Sequence, residues 1–121
     1  MSRSALVFAA FWAAALVPAI AATTPALKCD IGPVNKTYGK SAWLVYSCND
    51  GGTVVFVSAP GNPAMPFYFT LSPGTSGHQL QGEGTGHKEA TAAAYGDIKA
   101  LSQRDIAEII ERTKQVKNGV K

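Results

Sequence analysis

Hydrophobic positions along the chain change their spacing twice. Ala5 to Val17 is an unbroken apolar run of 13 residues behind the basic start Met1-Ser2-Arg3-Ser4. Pro18 ends the run, and Ala19-Ile20-Ala21-Ala22 follows. A basic head, an apolar middle and an Ala-x-Ala end form the layout of a secretory signal peptide, with cleavage expected after Ala21 or Ala22. The stretch from Ala5 to Ala22 is 18 residues, at the lower limit for crossing a bilayer. Pro18 and its small neighbours instead suit a peptidase that needs an extended, uncrowded chain. Residues 1–22 therefore read as a signal peptide and 23–121 as a single small exported domain. Cys29 follows Lys28, beyond the Ala-x-Ala end, which argues against lipidation. The domain is expected in the periplasm or secreted, with no membrane attachment after cleavage.

The next pattern is that of strands. Residues 23–40 carry Pro25, Gly32-Pro33 and Tyr38-Gly39-Lys40 and read as an irregular leader. Ala42 to Cys48 is rich in aromatic and β-branched residues, as strands are. Asn49-Asp50-Gly51-Gly52 is a hairpin turn, because Asn, Asp and Gly tolerate positive φ. Thr53 to Ser58 is the return strand, and Pro60-Gly61-Asn62-Pro63 cannot continue a ladder. Phe67 to Leu71 is a third strand, Ser72 to Gly77 a second turn, and His78 to Gly82 a more polar fourth strand at an edge. The sheet is thus placed within 41–83.

From there the spacing turns helical. Ala90, Ala93, Ala94, Ile98 and Leu101 share one face, although Gly96 weakens that helix by about 1 kcal/mol relative to Ala. Ser102 and Asp105 stand at capping-box spacing, with Leu101 and Ile106 at the two flanking apolar positions. Ile106, Ile109, Ile110 and Thr113 then make a single stripe. Helices are expected at 88–100 and 103–116, a helix pair within 87–117, with Asn118-Gly119 as the stop. The expected fold is α+β: a four-stranded antiparallel sheet followed by two C-terminal helices packed on one face.

Composition removes several function classes. At 46% hydrophobic and 16% charged residues, the chain is not intrinsically disordered. Two cysteines cannot make a multi-disulfide scaffold or a four-cysteine zinc module. The formal charge is +3, falling to +2 once Arg3 leaves with the signal peptide, too weak and scattered for a nucleic-acid footprint. Cys29 and Cys48, both in the exported part, are expected to form a structural disulfide, since neither sits in a Cys-x-x-Cys motif or beside a cationic helix start.

Candidate chemistry is sparse. His78, Glu83 and His87 could converge as a metal site or small catalytic cluster, but their spacing matches no standard ligand motif. No serine lies in Gly-x-Ser-x-Gly, so a hydrolase has little to rest on. Gly82-Glu83-Gly84-Thr85-Gly86-His87-Lys88 leads from a strand into a helix. Glycines let a backbone approach an anion, so Thr85 and Lys88 are the candidate anion-binding residues. A tight strand-to-helix turn explains the same string without a ligand. No cofactor is implied. Asn35-Lys36-Thr37 is a glycosylation sequon, relevant only in a host that glycosylates exported proteins.

An absence is more informative. Between Ser41 and His87 there is no Lys or Arg, and only Asp50 and Glu83 are acidic. The same segment holds Trp43, Tyr46, Phe56, Phe67, Tyr68 and Phe69. The strand at 53–58 is apolar on both faces, more than a half-exposed strand requires. Either both faces are covered, or the second belongs to a partner. Pro60, Pro63 and Pro66 stiffen the following loop, which lowers the entropic cost of binding. The expected contact set for a protein partner is Pro60, Asn62, Pro63, Met65, Phe67 and Tyr68. The function expected is that of a non-catalytic binding or accessory module. The alternative is a small enzyme or a metal- or anion-binding protein built on His78, Glu83, His87 and the Gly82–Lys88 turn.

Tyr46-Ser47-Cys48-Asn49-Asp50-Gly51-Gly52, with the Val-rich strand after it, resembles the opening hairpin of small periplasmic inhibitors of c-type lysozyme. That resemblance implies an all-β barrel. The two C-terminal helices depart from it, and no inhibitory residue of that family is matched here.

Overall fold

The computed structural model describes residues 26–117. The expected signal peptide at 1–22 and the expected stop at Asn118-Gly119 lie outside them. Seven elements follow one another: β1 (Ile31–Tyr38), β2 (Ser41–Ser47), β3 (Val54–Ser58), β4 (Phe67–Gly74), β5 (Gly77–Gly84), α1 (Lys88–Lys99) and α2 (Gln103–Lys117). The strands form one antiparallel meander in the order β1-β2-β3-β4-β5. The architecture is α+β with both helices at the C-terminal end, but the sheet has five strands, not four.

The extra strand is β1, which lies in the segment expected to be an irregular leader. Its ladder with β2 shifts register between Ile31 and Val34, a bulge that accommodates Gly32, at φ 128°, and Pro33. An edge position and a bulge are the places where a sheet tolerates proline. From Val34 to Tyr38 the pairing with Val45 to Ser41 is regular. The β1–β2 turn has φ of 58° at Gly39 and 64° at Lys40, the double positive φ of a type I′ hairpin. Gly39 also lies under α1: a Cβ there would meet the Ala94 nitrogen at 2.5 Å, and its own amide donates to Asp97 Oδ2 at 2.6 Å.

The β4–β5 hairpin is tighter than the turn-rich sequence suggests. Thr75 and Ser76 alone connect β4 to β5, because the ladder continues through Pro73↔His78 to Gly74↔Gly77. Between β2 and β3, the Asp50 carboxylate accepts from the Gly52 and Thr53 amides and from the Thr53 hydroxyl. This Asx-type arrangement is why Asp suits the position. Cys29, just before β1, is bonded to Cys48, just after β2, so the disulfide closes the open end of the β1–β2 hairpin.

The core lies between the helices and one face of the sheet. Trp43, Val45, Val54, Phe56, Phe69 and Leu71 meet Ala94 and Ile98 of α1 and Ile106, Ile109 and Ile110 of α2. The α2 stripe is the one read from the sequence, and Ser102 and Asp105 cap the helix reciprocally, each side chain accepting from the other's amide. A polar pair is buried with it. Thr113 Oγ1 donates to the Ile110 carbonyl, which leaves the Ser47 hydroxyl to donate to Thr113 Oγ1 at 2.6 Å.

Candidate functional site

Strand alternation sorts the uncharged segment onto two faces. Trp43, Val45, Val54, Phe56, Phe69 and Leu71 point to the helices. Leu44, Tyr46, Val55, Val57, Tyr68 and Thr70 point the other way; Tyr68 is exposed, the rest are half-buried, and no described element lies over them. The register sets them in two cross-strand rows. One runs Asn35, Leu44, Val57, Tyr68, Glu83; the other runs Tyr46, Val55, Thr70, Gln81. Glu83 is the one charged residue in these rows. Tyr68 donates its hydroxyl to Glu83 Oε1 at 3.1 Å, and that bond, with the carboxylate's charge, raises the Tyr68 phenol above its ordinary value. The bond also draws the carboxylate to the end of its row.

The loop between β3 and β4 adds a rim. Ser58 closes its neck, donating from Oγ to the Phe67 carbonyl at 3.0 Å and accepting from the Phe67 amide at 3.1 Å. Met65 and Pro66 then lean beside Val57, Tyr68 and Glu83, lining a shallow groove of about 530 Å³. Met65 is 51% exposed and Tyr68 42%, high values for large apolar-bodied side chains.

Of the contact set expected from the sequence, Pro60, Pro63, Met65 and Tyr68 are exposed. Asn62 and Phe67 are placed otherwise. Asn62 is buried: its Nδ2 donates to the Ala42 carbonyl, its Oδ1 accepts from the Ala64 amide, and it ties the loop to β2. Phe67 turns to the helix side, 4.9 Å from the Phe69 ring. Sequence reasoning did not single out Leu44, Tyr46, Val55 and Val57. The available signal was the strand at 53–58, apolar on both faces.

The histidines and Glu83 are not brought together. His78 and Glu83 are an odd number of residues apart on one strand, which sends them to opposite faces. His78 borders the groove beneath the helices, and Glu83 the groove at Met65. His87 stands at the α1 N-cap without a side-chain capping bond. Among the described residues no three His, Cys, Asp or Glu side chains are grouped as metal ligands would be.

The glycine string serves packing. A Cβ on Gly82 would meet the Phe67 ring at 2.7 Å, and Gly84 at φ 143° would meet the Phe67 Cα at 2.6 Å. The amides of Thr85 and His87 donate to the Pro66 and Pro63 carbonyls. Two of the donors that an anion near Thr85 and Lys88 would need are therefore committed to the β3–β4 loop. No family model, curated protein or solved structure matches the chain.

Proposed function

We propose that the protein is an exported, non-catalytic binding module that receives a protein partner on the open face of its sheet. The observation that supports this reading is the open face itself: two aligned rows of Leu, Val, Tyr and Thr side chains, charged only at Glu83, with a Met65–Pro66 rim. Interface centres are depleted in charge and enriched in aromatic residues and methionine. Pro63 and Met65 of the loop and Tyr68 of β4 belong to the contact, with Leu44, Tyr46 and Val57 beside them. The Cys29–Cys48 disulfide supports export, because such bonds persist in oxidising compartments. Among the described residues, no helix is long and apolar enough to cross a membrane.

Site-specific photo-crosslinking in cells of the native host tests the proposal. A photoreactive residue at Val57 or Tyr68 is expected to yield a discrete crosslinked species. The same residue at Arg104, exposed on α2, is expected to yield none. Met65→Lys should abolish the Val57 crosslink while leaving the urea midpoint unchanged. Equal crosslinking from Val57 and Arg104, or none from the sheet face, overturns the reading.

A further inference from the structure

A second surface lies on the opposite side of the sheet. Strand β5 ends the sheet order, so one side of it pairs with β4 and, among the described residues, the other has no neighbour. In an antiparallel pair, every second residue of an edge strand turns its N–H and C=O outward, ready to accept another strand. Natural edges are blocked by charged side chains, lysine above all, by proline, by a bulge or by a covering element; the one acidic residue of β5, Glu83, is held by Tyr68 on the face away from the groove. Over Gly77 to Gly84 there is no Lys and no Pro, and the pairing with β4 runs without a register shift from Gly74↔Gly77 to Phe67↔Gly84.

A groove runs beside this edge. Helix α2 lies along β1 and β2, and the space between β5 and the helix pair is left open, with a volume of about 640 Å³. Its lining mixes the half-buried Leu80 and Leu101 and the exposed Tyr95 with the polar side chains of Gln79, Ser102 and Gln103. Its charge is one-sided. Lys99 is the one charged residue that lines the groove, and among the described residues no carboxylate borders it. The Lys99 ammonium lies 5.5 Å from the centre of the Tyr95 ring. Glu111 pairs with Lys114, away from the groove.

We infer that this edge and groove form a peptide-binding site, distinct from the open face of the sheet. An extended segment of a partner protein adds to β5 as a sixth strand. Main-chain bonds to β5 supply affinity. Alternate side chains of the peptide enter the groove over Leu80, Leu101 and Tyr95, which selects apolar residues at every second position. The carboxylate of an acidic side chain of the peptide meets Lys99. A strand, rather than a helix, fits because the outward backbone groups of β5 and the groove run side by side. An acidic ligand fits because Lys99 is the one charged side chain that lines the groove.

The test starts from a display library of random peptides with free C termini, selected on the oxidised protein. The enriched peptides are expected to alternate apolar and polar residues and to carry an acidic side chain. A synthetic copy of the strongest should slow hydrogen exchange of β5 amides and leave β3 amides unchanged. Lys99→Glu, at an exposed site, should weaken that peptide's binding about tenfold or more without shifting the urea midpoint. Met65→Lys, on the other face, should leave it unaffected, so failure here and failure of the open-face proposal are separate results. Three outcomes overturn the inference: no peptide enriches, the bound peptide protects amides elsewhere, or the β5 edge is occupied by a second copy. The last shows as a dimer in sedimentation, with β5 amides protected in the absence of peptide.

Discussion

The Tyr38 hydroxyl is buried without a hydrogen-bond partner, while its ring stands edge-on to Phe56 at 5.4 Å. The ring is well used and the oxygen is not. Burial, with the nearby charges of Asp105 and Asp97, pushes the Tyr38 phenol up to about 12. An unsatisfied buried hydroxyl costs about 1–3 kcal/mol, so Tyr38→Phe is expected to stabilise the protein by about 1 kcal/mol at neutral pH. The pH sign follows from the shift. The unfolded tyrosine ionises near 10 and the folded one near 12, so stability is complete below about pH 10 and falls as pH rises through that window. Urea midpoints of both proteins across this range should show the parent losing stability and Tyr38→Phe losing less. Gly39 is constrained differently: its positive φ and the α1 backbone above it both exclude a side chain. Gly39→Ala is expected to destabilise the protein by more than the roughly 1 kcal/mol of a simple positive-φ penalty, measured by urea denaturation.

At the scale of elements, α2 is the main cover of the sheet. Ile109 is 5% exposed and sits in the core cluster, so Ile109→Ala should cost about 2–5 kcal/mol, measured by chemical denaturation. The helix start depends on the Ser102–Asp105 exchange. Ser102→Ala should cost about 1 kcal/mol by the same measurement. Hydrogen bonds from the Ser102 amide and hydroxyl hold the Asp105 carboxyl below its ordinary value. At Asp50, burial pushes upward, but the bonds from Thr53 and Gly52 outweigh it and the net shift is also downward. Both carboxylates therefore contribute stability above the ordinary aspartate range and lose it as pH falls through their lowered folded-state values. The urea midpoint should drop on acidification below about pH 4, and Asp50→Asn should reduce that drop.

For the whole molecule, the disulfide and the two exposed surfaces decide behaviour. Cys29 and Cys48 are 19 positions apart, and closing a loop of that size contributes about 3 kcal/mol by limiting the unfolded chain. The double variant Cys29→Ala with Cys48→Ala should lose about that much stability. Thiol labelling of the unreduced, denatured parent should find no free thiol. The open face and the β5 edge lie on different sides of the same sheet, so their variants should act independently. Helices bury one face from β1 to β4, whereas the Met65 rim serves the other face at the β3–β5 end.

What the sequence determined by itself is local. The 3.6-residue recurrence of Ile106, Ile109, Ile110 and Thr113, the Ser102–Asp105 spacing and the Asn-Asp-Gly turn each act within a few residues, and each is where it was read. The pairing of Cys29 with Cys48 followed from their number, not their neighbours. β1 was illegible because Gly32-Pro33 signals a break, and only pairing with β2 turns that break into a bulge. Asn62 looked like a surface loop residue because its partner, the Ala42 carbonyl, lies 20 residues away. Glu83 and the histidines were close in sequence and were separated by the two-residue period of β5 and the turn after it. The apolar character of Val55 and Val57 was plain in the sequence. That their face stays open was decided by tertiary structure, because one hydrophobic stripe per helix can cover one side of a five-stranded sheet and no more.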